Sequence, residues 1–483
     1  MIVSLLKTDR LNDPHTEPRV QHKSNIMAAT TKQSDLQWAK ASPRTYERGL
    51  DDMEKFFALA GEGGVGATDG QHWHIAVMAK INTTGVDLKR DVPMAWKALR
   101  RINPCLSAVV HGDRLVYTVA DEAELESWLK DTLHFHDTTG TSRDIFPIRN
   151  LTGRAALHVL LQTQELYLLA PHTHLDGIGA YTAMNNLVQA LAVAASGTDS
   201  PKLGGDEVQY LVPPLNVLAD IPVATDANKA TFKTMLGSWM AGFAGIKLQL
   251  NDTKQPCRDP KVLYAPFDVS ESKRIVARCK ELGFTVTAAV QAAVSIALRK
   301  QVQSTATIQS AVTIHDVRKW VDKTKYPATS LVGPLAVPVP AVFTLDDDFL
   351  ETARLAKQKY REPEQTDLLR TLPRFWGNDM VAIMTSPPPG AEAPSSLGVS
   401  SFGIMDAYLK PSYEGTAGSK VEVEDAWLGI TLYSPDILLH LWTLQGTVRL
   451  QCVYNEAYHD KEAVAALLES TRDELLRGLS LVG

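Results

Sequence analysis

Apolar residues along this chain fall into two alternating patterns, short runs of strand character and stretches recurring at helical spacing. Leu50–Leu59 has the spacing of a helix, and Trp73–Ile81 reads as a strand. A helix follows, with Pro93 near its start and Met94, Ala98, Leu99 and Ile102 on one face; Asn103-Pro104 stops it. Leu106–Val110 and Leu115–Val119 predict a hairpin turned at Gly112-Asp113, and Leu125, Trp128 and Leu129 mark another helix. Arg154–Leu161 and Glu165–Pro171 are two short strands joined by the polar turn Gln162–Gln164. After them Tyr181, Met184, Val188 and Leu191 recur at helical spacing until Gly197. Locally paired strands among helices predict a mixed sheet with helices against it, not a strictly alternating doubly wound fold.

Residues 197–260 carry prolines, glycines and polar clusters around the apolar piece Phe232–Ile246, which reads as a crossover between two lobes. Val262–Phe267 opens the second lobe as a strand. The next helix has Ile275, Val276, Cys279 and Leu282 inward and closes at Gly283. Thr287–Leu298 is alanine-rich and apolar on most faces, so it should be deeply buried. Ile308–Ile314 is a strand, and Leu331–Phe343 is extended and punctuated by prolines, as an edge or inter-lobe segment would be. Leu350–Tyr360 reads as a helix, Ser386–Pro394 as a proline-rich loop, and Val399–Leu409 as a strand with a glycine inside it. Ile437–Leu444 and Thr447–Val453 make a hairpin about Gln445-Gly446, and Lys461–Leu476 is a last amphipathic helix.

The 483 residues could hold about three domains by length, and two large lobes fit equally well. A hydrophobic share of 45% and a charged share of 22% are those of an ordinary globular protein. The net charge of −6 argues against a nucleic-acid binder, which would show a basic face. Cys105, Cys257, Cys279 and Cys452 lie far apart without CxxC pairing, which suits a reducing compartment. The apolar run Ile2–Leu6 is too short for a signal-peptide core, and no later segment is apolar enough to span a membrane. The expectation is therefore a cytoplasmic protein with residues 1–36 as a disordered tail, Met27 offering a second possible start. The glycine-rich stretch Gly61–Gly70 lacks a GKS or GKT ending and a strand leading into it, so it reads as a connection and not a phosphate loop.

The chemistry concentrates in Leu168–Gly179, LLAPHTHLDGIG, at the junction of a strand and a helix. Three readings of these residues stand beside each other. His172 and His174 could be polar strand-end residues without a catalytic part. His172, His174 and Asp176 alternate, so on a strand they would share one face and could ligate a metal, as in the HxHxDH of metallo-β-lactamase-type hydrolases. Against that, Gly177 stands where the motif needs a further histidine, and none follows until His315. The third reading rests on a resemblance that His172 and Asp176, four residues apart, carry.

His172-x-x-x-Asp176-Gly177 resembles the HxxxDG signature of the CoA-dependent acyltransferase superfamily. That group includes chloramphenicol acetyltransferase, plant BAHD enzymes, condensation domains of peptide synthetases and fungal trichothecene-type O-acetyltransferases. Further stretches follow in family order. Arg318, in TIHDVRKWV, resembles the arginine that holds the motif aspartate. LVGPLAVPVP resembles a condensation-domain stretch across the lobes. VSSFGIMDAYL is similar to an SSxG strand, with Ser400, Ser401 and Gly403 at the matching positions. The ending RLQCVYNEAYHDKEAVAALLES is similar to the last strand and helix of the fungal acetyltransferases. Pro171 replaces the first histidine of the condensation-domain HHxxxDG, which argues against amide-forming condensation, and the DFGWG motif of plant enzymes is absent.

The resemblance implies an α/β (α+β) fold of two chloramphenicol-acetyltransferase-like lobes, each a mixed sheet with helices, and a tunnel between them with His172 at its midpoint. It divides the chain into an N-terminal lobe over 37–200, a linker over 201–260 and a C-terminal lobe over 261–483. The implied roles are His172 as base, Asp176 paired with Arg318 as support, and Gly177 and Gly179 easing the turn into the helix. Ser400, Ser401 and Gly403 become candidates for the oxyanion or for substrate binding, and His174 becomes a polar wall or supporting residue. The implied activity is a monomeric O-acyltransferase without a permanent cofactor or metal. Acyl-CoA, or an acyl-carrier protein of a polyketide or peptide synthase, would supply the acyl group to a small-molecule alcohol of fungal secondary metabolism. The readings kept beside it are a metal-dependent hydrolase and a non-acylating descendant of the same fold.

Overall fold

The computed structural model describes residues 32–62, 72–195, 203–251, 256–365, 367–381 and 395–481. The expected loops at Gly61–Gly70 and Ser386–Pro394 fall largely or wholly outside these residues, as does most of the expected tail. Its last part, Gln33–Leu36, is a short helical turn that buries Leu36.

Two sheets form the frame. The six-stranded one runs in the order Ser412–Glu414, Lys420–Ile430, His74–Thr84, Glu165–Pro171, Ala156–Leu160 and Leu133–His136. Only its last pairing is parallel. Leu166–Ala170 are buried on both faces, because helices and the second lobe cover the sheet on either side, and so the strand reads as a continuous apolar run. The four-stranded sheet runs Leu397–Ile404, Ile437–Leu444, Thr447–Asn455 and Pro260–Pro266, with its first pair parallel. A smaller sheet holds the hairpin Val109–His111 and Arg114–Thr118 beside Ala39–Lys40 and Thr45–Gly49.

The proline-rich segment becomes the strand Ala336–Thr344, paired antiparallel with Ile308–Asp316. Pro338 and Pro340 sit two apart, so both missing N–H groups point to the same side, away from the partner strand. The alanine-rich stretch is the helix Val286–Gln301, buried from Ala288 to Leu298, packed against the helices Lys461–Gly478 and Phe349–Arg361. Small side chains let those neighbours approach it on several faces.

Three expectations change. In the helix Leu88–Ile102 the buried face is Val92, Ala95, Trp96 and Leu99, while Ile102 is 38% exposed. Two tryptophans explain the rotation: Trp96 stacks on Trp128 with ring centroids 5.6 Å apart, which turns that side of the helix inward. In the helix Val269–Glu281, Ile275 and Cys279 are buried but Val276 is 44% exposed. Third, the strands Ser412–Glu414 and Lys420–Ile430 lie on the C-terminal side of the expected division at 260/261 and yet complete the N-terminal sheet, pairing with His74–Thr84. Trp427 of that insertion is fully buried among first-lobe residues and donates to Ser142 at 2.9 Å.

Candidate active site

Strand Glu165–Pro171 ends at the sheet edge facing the second lobe, and helix Gly177–Ala194 starts six residues later, so Pro171–Asp176 form a tight loop between them. His174 N donates to Pro171 O at 2.9 Å within this loop. Asp176 caps the helix, its Oδ1 accepting from Gly179 N at 2.7 Å, which satisfies one of the donors every helix start leaves open.

The rest of the Asp176 carboxylate is consumed by the second lobe. Arg318 grips it with both arms, Nη2 to Oδ1 at 2.8 Å and Nη1 to Oδ2 at 3.0 Å, and Leu335 N donates to Oδ2 at 2.7 Å. Arg318 also donates to the carbonyls of Leu331 (3.1 Å) and Gly333 (2.9 Å) and to Asp316 (2.9 Å). Both partners of the central pair are buried, and geometry of this kind is what lets a buried ion pair offset its desolvation. The expected pairing therefore occurs, and it joins the lobes at the loop.

Both motif glycines serve close approach. A Cβ on Gly179 would stand 2.0 Å from the Val332 carbonyl oxygen, and one on Gly177 would stand 2.4 Å from the Phe402 ring. Neither has a positive φ, so the expected easing of the chain turn is replaced by the proximity of the other lobe.

His172 leans on the first lobe. Its ring stacks on Phe57 at 3.9 Å between centroids and 7° between planes, and meets Trp73 edge-on at 6.5 Å. Such contacts add about 0.5–1.5 kcal/mol to simple burial and fix the ring plane. Nδ1 is sealed from solvent and meets no acceptor at full hydrogen-bond geometry. Burial pushes the imidazole down to about 4; the nearby Asp176 charge and the carbonyls of His172 and Leu175 oppose this only in part. At neutral pH the ring is uncharged and able to accept a proton.

His174 points elsewhere. Its Nε2 lies 2.9 Å from the Ala108 carbonyl, which can only accept, so the proton sits on Nε2 and Nδ1 takes the Thr173 hydroxyl at 2.9 Å. With His174 bound to Ala108 and Asp176 to Arg318, the donor atoms of His172, His174 and Asp176 do not converge, and the shared face required for a metal is not formed. Alternation along a strand does not apply here, because the strand has already ended at Pro171.

A cleft between the lobes runs past His172 and encloses about 850 Å³ including its open mouth. Its walls include Ile75 of the first lobe, Ile314 and Asp316 of the second, and Leu428 and Ile430 of the inserted strand. Ser400 and Ser401 line it, Ser401 Oγ sharing a 2.8 Å hydrogen bond with Thr287 Oγ1. Gly403 has φ +72° and sits at a bulge after Ser401, where the strand's register shifts. The bulge sets Phe402 against Gly177 and, at 5.4 Å, edge-on to His440.

His440 escaped the sequence reading. It lies opposite Ser400 in the parallel pairing and lines the same cleft. Its Nδ1 is 3.0 Å from the Leu428 carbonyl and must donate to it, which leaves Nε2 as an acceptor. An isolated histidine in an apolar strand, ILLHLWTL, carries no sequence signal of this role.

Several buried histidines predict a pH dependence of stability. Burial holds His440 at about 4, His72 at about 3 and His158 at about 3, all below the unfolded value of about 6.5. Each is therefore kept neutral by the fold. Its contribution is complete above pH 6.5 and is lost as pH falls toward the folded pKa, at pH 5 by up to about 2 kcal/mol per group. The melting temperature should peak near neutrality and drop steeply between pH 6.5 and 5. A melting curve unchanged across that window would mean that these rings are not buried as described.

No family model matches the chain. The acetyltransferase pigO of Monascus ruber is 24% identical over 460 residues, covering 92% of this chain and 99% of the relative. The O-acetyltransferase pigM of the same organism is 23% identical over 465 residues, covering 92% and 88%. Among solved structures, the TRI3 trichothecene 15-O-acetyltransferase from Fusarium sporotrichioides superposes with a TM-score of 0.79 at 17% identity, covering 93% of this chain and all of that one. The chain is thus similar over nearly its whole length to fungal O-acetyltransferases and has the two-lobed fold of chloramphenicol acetyltransferase and the condensation domains.

Proposed function

We propose that the protein is an O-acyltransferase of secondary metabolism that moves an acetyl or similar acyl group from a thioester, acyl-CoA or a carrier-bound acyl chain, to a hydroxyl of a small molecule. The observation that carries this reading is a neutral histidine, His172, held on a cleft between two lobes by a loop that both lobes fix.

An alcohol is a weak nucleophile at neutral pH, so its proton must leave as the C–O bond forms. His172 takes that proton while the alcohol oxygen attacks the thioester carbonyl. The carbonyl π electrons move to oxygen, and Ser400 or Ser401 supplies the hydrogen bond that stabilises this oxyanion. Collapse restores the carbonyl and breaks the C–S bond, and the imidazolium returns its proton to the departing thiolate. The products are an ester and a free thiol, with His172 neutral again. His440 Nε2, an acceptor on the same wall, is suited to hold an O–H or N–H of one substrate in place. Asp176 and Arg318 take no part in proton transfer; they set the position of the His172 loop.

Names of the relatives support acetyl as the group, and the trichothecene named for the structural neighbour TRI3 supports a fungal metabolite as the alcohol. The test is acetyl-CoA with a panel of hydroxylated fungal metabolites, read as free thiol and as product mass. Thiol release that depends on an alcohol, with a mass gain of one acetyl group, is the expected result. Release of thiol with no acylated product from any alcohol would point to a thioesterase instead.

A further inference from the structure

A second, polar cleft lies in the first lobe, between the helices Leu88–Ile102 and Glu122–Thr132 and the hairpin Val109–His111 and Arg114–Thr118, and encloses about 830 Å³ including its mouth. Arg100, Trp128 and Arg154 line it. Among the described residues the Arg154 guanidinium forms no ion pair and donates no hydrogen bond, although its Nε is sealed from solvent. Arg100 makes one such bond, Nη2 to the Thr118 carbonyl at 3.1 Å, and its Nε is likewise sealed without an acceptor. It lies over the rings of Trp128 (4.7 Å) and Tyr117 (5.6 Å), and Trp128 Nε1 is a third buried donor without an acceptor.

Two carboxylates, Glu124 and Asp131, also line the cleft, but neither forms a hydrogen bond or ion pair with these donors. Glu124 is taken by Arg44 at 2.6 Å, and Asp131 accepts from Ser127 at 3.5 Å. Glu207, behind Tyr117, accepts from the Tyr117 hydroxyl at 2.9 Å and from Gly205 N at 2.8 Å. Two guanidiniums therefore line one cleft, each with its Nε sealed from solvent and unpaired, an arrangement that an anion in the cleft would relieve. Burial and then the charge of Arg100 depress Arg154, and the carboxylate of Asp131 offsets this only in part. A planar fork of N–H donors is the group best matched to the oxygens of a phosphate.

We propose that this cleft is an anion site that takes a phosphate group between Arg154 and Arg100. The cleft adjoins the candidate active site without belonging to it. Ser107 and Val109 line it, and the carbonyl of Ala108 between them anchors His174 of the motif loop. Burial is the main cause that lowers the proton affinity of His174, and the charge of Arg154 adds a small part to it. An anion on Arg154 would act on the same loop that holds His172. The phosphate could belong to the nucleotide end of coenzyme A or to a free phosphate or phosphate ester.

The test uses the full chain, inorganic phosphate against chloride at matched ionic strength, and R154Q beside the wild type. Saturable stabilisation by phosphate in the wild type, weakened at least about tenfold in R154Q, is expected, since a ligand of the native state raises its melting temperature. Competition between coenzyme A and phosphate would identify the donor's own phosphates as the occupant; simultaneous binding would identify a free anion, and either supports the site. A wild type that responds equally to phosphate and chloride, or an R154Q that responds like the wild type, overturns it. Should R154Q not fold, displacement of phosphate by pyrophosphate on the wild type, followed by calorimetry, decides: saturable heats support the site, and their absence overturns it.

Discussion

His172→Ala is expected to lower acyl transfer about 10²–10⁴-fold, the usual loss when a positioned general base is removed, while the fold and the binding of coenzyme A survive. The ring is the one group of the motif loop that faces the cleft uncharged and uncommitted, since Asp176 is spent on Arg318 and His174 on Ala108. His174→Ala is the discriminating control. It removes the bond that satisfies the buried Ala108 carbonyl, so it should cost about 1–3 kcal/mol in stability, with a much smaller loss of turnover than His172→Ala. Turnover with acetyl-CoA and urea unfolding of both variants separate the two effects. If His172→Ala works at near wild-type rate, the base is another group; if His174→Ala is the inactive one, the catalytic register is wrong.

Removing either partner of the Asp176–Arg318 pair should cost about 3–5 kcal/mol, because the charge left behind is buried without its counter-ion. Asp176→Asn is severe for a specific reason. One carboxylate oxygen becomes an NH2 group, yet both oxygens receive donors, Oδ1 from Gly179 N and Arg318, Oδ2 from Leu335 N and Arg318. Whichever way the amide turns, two donors meet. Arg318→Gln loses the bidentate grip and the bonds to the Leu331 and Gly333 carbonyls together. The double variant should cost clearly less than the sum, with a coupling of about 0.5–3 kcal/mol in unfolding measurements. Strict additivity would contradict the contact. Because this pair bolts the His172 loop to the other lobe, each variant should also lose turnover beyond its loss of folded protein.

The sequence by itself determined the elements whose local chemistry is self-sufficient. The strands around Gln162–Gln164, the hairpin at Gln445-Gly446 and the buried helix from Val286 follow from period, turn residues and small side chains. HxxxDG fixed the place of the motif loop, since a strand that ends at Pro171 and a helix capped by Asp176 leave little else for the residues between. Arg318 could be named as the partner of Asp176 only through resemblance, for nothing local relates residues 142 positions apart.

Tertiary structure decided the rest, and in each case the cause is a neighbour distant in sequence. Lys420–Ile430 joins the first lobe's sheet because the long strand His74–Thr84 offers it an open edge, a fact absent from its own alternation of charge and apolar residues. Gly177 and Gly179 are small because Phe402 and the Val332 carbonyl press on them from the other lobe. His172 and His174 are the same residue type two positions apart, and only packing tells them apart. Phe57 stacks on the first and burial leaves it neutral at the cleft, whereas Ala108 takes the proton of the second. His440 joins the same cleft through strand pairing with Ser400, and Arg100 and Arg154 line one cleft that two helices and a hairpin enclose. Periodicity records which face of an element is buried; it does not record what that face meets.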